Sequence, residues 1–131
     1  MFPLKTCACF FWCVLMFTGC KDENGPGSPS DIVFPPNNVS YDRQVQPLFN
    51  QACNFSGCHD GNSQQTDLNL TSHGGTVGIP GVVVPGKPES SRLVLRIQGS
   101  VGVRMPPQGN QLNDNQINGI RTWIAEGAKN N

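Results

Sequence analysis

Two cysteines and a histidine, Cys53, Cys58 and His59, stand close together in the segment QACNFSGCHDG, which covers residues 51–61. This group constrains the fold more than any other feature, because the rest of the chain offers little material for a core. The sequence holds 15 Gly and 11 Pro among its 131 residues, and its apolar patterns indicate only about three short helices. A small domain of this kind often needs a disulfide, a metal or a cofactor to be stable.

The N-terminal segment has the pattern of an export signal. Lys5 is followed by an unbroken apolar run, CACFFWCVLMF, which is shorter than the roughly 20 residues of a membrane-spanning helix and typical of a signal-peptide core. The run ends in FTGC, which resembles the bacterial lipobox, whose cysteine becomes lipidated. We therefore expect residues 1–19 to be a lipoprotein signal peptide and Cys20 to carry the lipid. An ordinary secretory signal cut nearby, or an uncleaved anchor, is the alternative.

This processing leaves Cys53 and Cys58 as the only two thiols, since the other cysteines lie within the first 20 residues. In an exported protein such a pair forms either a disulfide or a cofactor attachment. A c-type haem attachment site has a histidine directly after its second cysteine, as His59 is here, but usually two rather than four residues between the cysteines. A zinc site needs further ligands, and with His73 as the only other histidine it is the weakest of the three alternatives.

The chain divides at about residue 40. Residues 20–39 are rich in Gly, Pro, Ser and Asn and show no apolar period, which predicts a lipidated N-terminus followed by a flexible linker. Residues 40–131 are expected to form the folded domain. The first helical pattern opens at residues 40–42 and begins by Gln44 at the latest, because Pro47 is tolerated only near a helix start.

Two further helices are predicted after that first one, which ends just before Cys53. The second starts at Pro88 and runs to about Ile97, while the glycine-rich residues 60–87 are expected to be loop. The last is capped by Asn113 and stopped by Gly127. The residues expected to be buried are Val45, Leu48, Phe49 and Ala52 in the first helix, Leu93, Val94 and Ile97 in the second, and Ile117, Ile120, Trp123 and Ile124 in the last.

Composition excludes some classes of function. Charged residues make up 14% of the chain, the formal net charge is zero, and no cluster of Lys and Arg occurs, so we expect no nucleic-acid partner. No acid–base pair, no nucleophile beside a base and no phosphate-binding glycine loop is visible. Asp60, Asp67 and Glu89 are scattered and are interpreted as solvated or capping residues. The sequence therefore does not predict an enzyme.

Met105 completes the group of candidate ligands. It is the only methionine outside the predicted signal peptide, and it stands in the sequence RMPP. A thioether is a common sixth ligand of haem iron in electron-transfer proteins, although a lone methionine is more often a core residue. The prolines that follow Met105 stiffen the backbone around it. The sequence therefore predicts iron binding by His59 and Met105, with His73 as the second candidate for the sixth ligand.

Three segments, in order, resemble class I-type cytochrome c domains of bacterial lipoproteins. They are VSYDRQVQPLFNQAC with the following CH, then Leu68–Leu70 with VVVPGKPESSRL, and finally MPPQGNQLNDNQINGIRTWIAEGA. The middle segment resembles cytochrome-c-like domains from planctomycetes and related bacteria. The resemblance covers residues 39–128 and implies an all-α, small cytochrome c-like fold of about three short helices around one covalently bound haem. It also implies that the first and last helices cross, with Phe49 near Trp123.

The same resemblance implies the site and its cofactor. Haem c is attached at Cys53 and Cys58 and its iron is held by His59 and Met105. The expected function is one-electron transfer by a membrane-anchored monohaem c-type cytochrome in the periplasm or cell envelope, with redox proteins as partners. Because both axial positions are filled, substrate chemistry at iron is not expected.

Some alternatives stay open at this stage. Arg92, Arg96 and Arg104 are candidates to pair with haem propionates, or are simply surface charges. The chain could instead be a haem-free exported lipoprotein, an interaction module closed by a disulfide between the two cysteines. A third possibility is a sensory or enzyme-like haem domain in which Met105 leaves the iron to admit a small ligand.

Overall fold

The structure, a computed structural model, describes residues 29–62, 66–107, 109 and 111–131. Within these residues it is helical and contains no strand, so the predicted all-α class is confirmed. There are four α-helices rather than about three: α1, Gln46–Ala52; α2, His73–Val77; α3, Arg92–Gln98; and α4, Asp114–Ala125. Short 3₁₀ turns lie at Pro29–Asp31 and Pro88–Ser90, and a π-helical turn lies at Tyr41–Val45. The predicted signal peptide and Cys20 lie outside the described residues.

The first helical segment begins with the π-helical turn and continues into α1. The Ser40 hydroxyl caps the turn by accepting a hydrogen bond from the Arg43 N–H, and the Gln46 N–H donates to the Tyr41 carbonyl, five residues back. Pro47, which has no N–H, lies in the first turn of α1, where that donor is not needed. The helical path therefore starts at Tyr41 and ends at Ala52, as the sequence predicts.

One core joins the helices. Every apolar residue predicted to be buried is buried, and Val45, Leu48, Ile120 and Trp123 have no measurable exposure. Phe49 and Trp123 belong to the same core cluster. The rings of Tyr41 and His73 pack against Trp123, at centroid separations of 5.4 and 6.0 Å.

Residues 60–87 differ from the prediction of loop, because they contain α2. Ser72 caps this helix, its hydroxyl accepting a hydrogen bond from the Gly75 N–H. The sequence of α2 is HGGTV, and two adjacent glycines have low helix propensity, which is why the pattern gave no helical signal. The buried Thr76 side chain, whose hydroxyl donates to the Ser72 carbonyl at 2.9 Å, fixes the turn against the core.

The last helix follows the prediction closely, whereas the helix predicted to start at Pro88 is divided into the 3₁₀ turn Pro88–Ser90 and α3, which begins at Arg92 after the extended Ser91. Leu93, Val94 and Ile97 of α3 are buried. Asn113 and Gln116 form a complete capping box at the start of α4, each side chain accepting a hydrogen bond from the other residue's backbone N–H. Two backbone N–H donors at the helix start are thereby satisfied.

Residues 29–39 correct the predicted boundary between linker and domain. Phe34 and Val39 are buried, and the Phe34 ring lies against the backbone of Gly119 in α4. The Asn115 side chain forms two hydrogen bonds with the Phe34 backbone, and the Glu126 carboxylate accepts the Asn38 and Val39 N–H groups. The prediction that residues 20–39 form a flexible linker is therefore wrong for residues 29–39. Single apolar residues that dock on a helix produce no periodic signal.

None of the helices in the described part of the chain is long and apolar enough to cross a membrane.

Candidate haem site

A cavity of about 730 Å³ opens beside the C-terminal end of α1 and the face of α3. Its volume falls in the range of roughly 300–1,000 Å³ that is typical of small-molecule and cofactor sites. The four residues predicted to attach and ligate haem, Cys53, Cys58, His59 and Met105, all line this one cavity. Much of the remaining wall is apolar and comprises Ala52, Leu68, Leu70, Ile79, Val82, Leu93, Ile97, Pro106 and Pro107.

The loop between the two cysteines is a compact turn. The Cys58 N–H donates to the Phe55 carbonyl at 2.9 Å, and Gly57 takes a φ of 80°, a conformation that glycine adopts without strain. The His59 N–H then returns to the Cys53 carbonyl at 3.3 Å. The four intervening residues are thus folded out into a turn, and both thiols remain at the cavity in spite of the long spacing.

The His59 ring is held by the backbone of the next segment. Its Nδ1 lies 3.1 Å from the Leu68 carbonyl oxygen, and the Leu70 N–H donates to the His59 carbonyl at 2.9 Å. A carbonyl oxygen only accepts hydrogen bonds, so Nδ1 carries the hydrogen and Nε2 of the neutral ring keeps its lone pair. This is the arrangement in which metal-binding histidines are commonly fixed.

The two thiols differ in environment. Cys53 is partly buried and Cys58 is exposed, and neither forms a disulfide. Burial raises the pKa of the Cys53 thiol to about 12, and the proximity of Cys58 adds to the rise. The Cys53 sulfur is therefore a neutral thiol at ordinary pH.

Met105 reaches the cavity from the segment between α3 and α4. Its backbone N–H donates to the Arg96 carbonyl at 2.9 Å, in the last turn of α3. The next residue, Pro106, is buried. The side chain of Met105 is half-buried and contributes to the cavity wall.

The three arginines proposed as propionate partners separate into two groups. Arg92 and Arg96 line the cavity, and their spacing of four residues places them on one side of α3. Arg104 instead donates from Nε to the Ile97 carbonyl at 3.0 Å and from Nη2 to the Leu112 carbonyl at 3.3 Å. The cavity therefore has an apolar wall and a cationic edge formed by Arg92 and Arg96.

His73 lies elsewhere in the domain. Its Nε2 is 2.8 Å from the Ala128 carbonyl oxygen, and its ring packs edge-on against Tyr41 and Trp123 at centroid separations of 4.9 and 6.0 Å. It is not among the residues that line the cavity. The structure thus brings Met105, and not His73, to the same cavity as His59.

Of the three scattered acidic residues, Asp67 lines the cavity, whereas Asp60 and Glu89 have local partners. Asp60 accepts a hydrogen bond from the Asn62 N–H at 3.1 Å, and Glu89 pairs with Arg121. Within the described ranges no three His, Cys, Asp or Glu side chains are grouped so that they could hold a metal ion. The zinc alternative therefore has no ligand set in this part of the chain.

One partner in the site was not foreseen from the sequence. The Leu68 carbonyl that holds His59 is a backbone group, and no residue type marks it. In the sequence, the segment Leu68–Leu70 is distinguished only by its resemblance to a family motif.

This helical domain, with two thiols, an imidazole and a thioether around one cavity, has the side-chain set typical of a c-type cytochrome. Residues 56–109 match the family model described as Planctomycete cytochrome C. The match includes Cys58, His59 and Met105 and begins after Cys53. It confirms the predicted resemblance to planctomycete-type cytochrome c domains, and it favours an electron carrier over an enzyme. Searches of curated proteins and of solved structures gave no match.

Proposed function

We propose that this protein is a membrane-anchored monohaem c-type cytochrome that transfers single electrons in the periplasm or cell envelope. The observation that carries the proposal is the convergence of Cys53, Cys58, His59 and Met105 on one largely apolar cavity. These residues come from the end of α1, the following loop and the segment before α4, so their meeting is a property of the fold and not of the motif alone.

The residues present fit a covalently held haem. The cavity is large enough for a cofactor, and its apolar wall suits a porphyrin. The hydrogen bond from Nδ1 of His59 to the Leu68 carbonyl oxygen leaves Nε2 as the ligating nitrogen. Each of the two thiols would add across one vinyl group, sulfur to one carbon and hydrogen to the other, so that attachment consumes no oxidant.

The bound haem supplies an iron that accepts and gives up one electron, and the chain sets its environment. His59 and Met105 would hold the iron, and ligation by methionine and histidine raises the reduction potential. Arg92 and Arg96 at the cavity edge would meet the two propionates, since guanidinium groups bind carboxylates with parallel hydrogen bonds. The apolar wall excludes water, which further tunes the potential.

Anchoring rests on the sequence pattern at Cys20. A lipid on this residue would hold the domain at a membrane, because only eight residues separate Cys20 from the first described residue, Pro29. A chain of that length has an r.m.s. span of roughly 15 Å if flexible. The cytochrome domain would therefore act close to the membrane surface, on redox partners that reach it there.

Intact-mass spectrometry of protein from a host that matures c-type haem tests the proposal. We expect one haem mass on the chain, retained after denaturation, and loss of that covalent mass in the C53S/C58S double variant. A chain that lacks haem and is two hydrogens lighter than the reduced form would instead identify the haem-free lipoprotein with a Cys53–Cys58 disulfide.

A further inference from the structure

Arg104, the residue directly before Met105, has a side chain that contacts the backbone at two places. Its Nε donates to the Ile97 carbonyl at 3.0 Å and its Nη2 donates to the Leu112 carbonyl at 3.3 Å. Ile97 lies in the last turn of α3 and Leu112 directly precedes Asn113, the N-cap of α4. One guanidinium group therefore ties the end of α3 to the start of α4.

The end of α3 is closed by the segment that carries Met105. The last carbonyl groups of a helix have no partner within the helix. Here the Gly99 and Ser100 N–H groups bond to the Leu95 carbonyl, and the Met105 N–H bonds to the Arg96 carbonyl at 2.9 Å. The Ile97 carbonyl is satisfied by Arg104, whose positive charge is favourable at a helix C-terminus.

The stem of Arg104 is also fixed. A side-chain carbon added at Gly99 would lie only 3.2–3.3 Å from Cβ, Cγ and Cδ of Arg104, so the methylene chain crosses directly over this glycine. Gly99 itself has a φ of 77° and ends α3 in the left-handed conformation. The rotamer of Arg104 is thus determined at its stem by packing and at its head by hydrogen bonds.

We infer that Arg104 is a positioning residue for the sixth iron ligand. The inference rests on the proposed function. By bonding to Ile97 and Leu112, Arg104 fixes the chain immediately before Met105, while the Met105 N–H fixes it at the ligand itself. The thioether is thereby held at the cavity wall. Contacts outside the cavity offset the entropic cost of ordering this glycine- and proline-rich segment.

Arginine suits this position better than lysine. Two separate nitrogens of the planar guanidinium reach two carbonyls, one in the last turn of α3 and one just before the N-cap of α4. A lysine has only a single nitrogen at the end of a flexible stem. Arg104→Lys is therefore expected to keep the charge near the end of α3 but to lose one of the two bonds. Arg104→Gln loses the charge as well.

The test compares R104Q and R104K with wild type and with the control R43Q. Arg43 is exposed, and its backbone N–H donates a hydrogen bond to the Ser40 hydroxyl. All four proteins are produced in a host that matures c-type haem, and covalent haem is measured after denaturation. The ferric sulfur-to-iron charge-transfer band then reports methionine ligation, and imidazole titration reports how easily the thioether is displaced.

We expect wild type and R43Q to behave alike. R104Q should show a weakened charge-transfer band and should bind imidazole about tenfold more tightly than wild type. A tenfold change in affinity is about the size expected for the loss of one to two net hydrogen bonds. R104K should fall between R104Q and wild type, and all four proteins should carry the same amount of covalent haem.

Three results would overturn the inference, and they are distinguishable. Haem-loaded R104Q with a wild-type band and wild-type imidazole affinity would show that Arg104 does not position Met105. Loss of covalent haem in both R104Q and R104K would assign Arg104 to folding or maturation instead. A wild-type protein without haem would refute the proposed function and this inference together.

Discussion

The Nδ1 atom of His59 and the carbonyl oxygen of Leu68 are 3.1 Å apart, and this hydrogen bond decides which nitrogen of the ring is available to a metal. A second hydrogen bond joins the same two segments, because the Leu70 N–H donates to the His59 carbonyl at 2.9 Å. His59 is therefore oriented by the backbone of residues 68–70. Preorganisation of this kind lowers the cost of ordering a ligand when the metal site forms.

Replacement of Met105 by Ala should open one axial position of the haem. We expect the reduced protein to bind carbon monoxide, and the reduction potential to fall, because the thioether favours ferrous iron. The measurements are a carbon monoxide difference spectrum and a redox titration. His73→Ala is the matched control and should leave both unchanged, since His73 packs against Tyr41 and Trp123 away from the cavity. The reverse pattern would make His73 the ligand.

The haem-free chain should show two thiols of very different reactivity. Cys58 is exposed, so iodoacetamide should alkylate it at pH 8 about as fast as it alkylates the same cysteine in the unfolded chain. Burial raises the pKa of Cys53 to about 12, so its rate should be at least about tenfold lower and still rise with pH above 9, because only the thiolate reacts. Peptide mass mapping assigns the sites. Equal rates in the folded protein would contradict the buried position of Cys53, and C53S should remove the slow phase.

Tyr41 should make the protein less stable in alkali. Burial raises the pKa of its phenol above the usual value of 10, while the hydrogen bond with Thr76 opposes the rise. The unfolded state then releases its proton first, so this contribution to stability is complete below pH 10 and declines as the pH rises further. In urea unfolding of haem-loaded protein from pH 9 to 11, the free energy of unfolding should therefore fall more steeply with pH for wild type than for Y41F. Parallel curves would contradict this assignment.

Gly119→Ala should be destabilising even though alanine is the better helix former. A side-chain carbon at this position would overlap the ring of Phe34, and overpacking of this kind costs about 1–3 kcal/mol. Asn118→Ala on the exposed neighbouring position is the control and should be neutral or slightly stabilising. In a Phe34→Ala background the same glycine substitution should be tolerated or should stabilise by up to about 1 kcal/mol. If G119A costs the same in both backgrounds, residues 29–39 do not dock on α4.

The sequence predicted those parts of the fold that depend on periodic burial and on caps. The stripe of Val45, Leu48 and Phe49 and the capping box of Asn113 and Gln116 are where the patterns placed them. The packing of Phe34 on Gly119 was not predictable in this way, because it joins residues far apart in sequence that follow no period. The α2 helix was missed because its paired glycines have low helical propensity, and its stability comes from the Ser72 cap and the burial of Thr76.

The sequence likewise predicted only part of the candidate site. Met105 was predicted as the residue opposite His59 because it is the only methionine beyond the signal segment, and both residues line one cavity. The sequence left Arg92, Arg96 and Arg104 as equivalent candidates for the propionates. The tertiary structure distinguishes them, because Arg92 and Arg96 line the cavity whereas Arg104 donates to two backbone carbonyls. No sequence motif encodes hydrogen bonds to backbone carbonyls.

In the proposed cytochrome, Cys53 and Cys58 hold haem covalently between His59 and Met105. The most direct measurement is a haem stain of the purified protein on a denaturing gel, followed by the absorption spectrum of the native protein, after production in a host that matures c-type haem. We expect a stained band and a six-coordinate, low-spin spectrum. Folded but colourless protein under these conditions would contradict it.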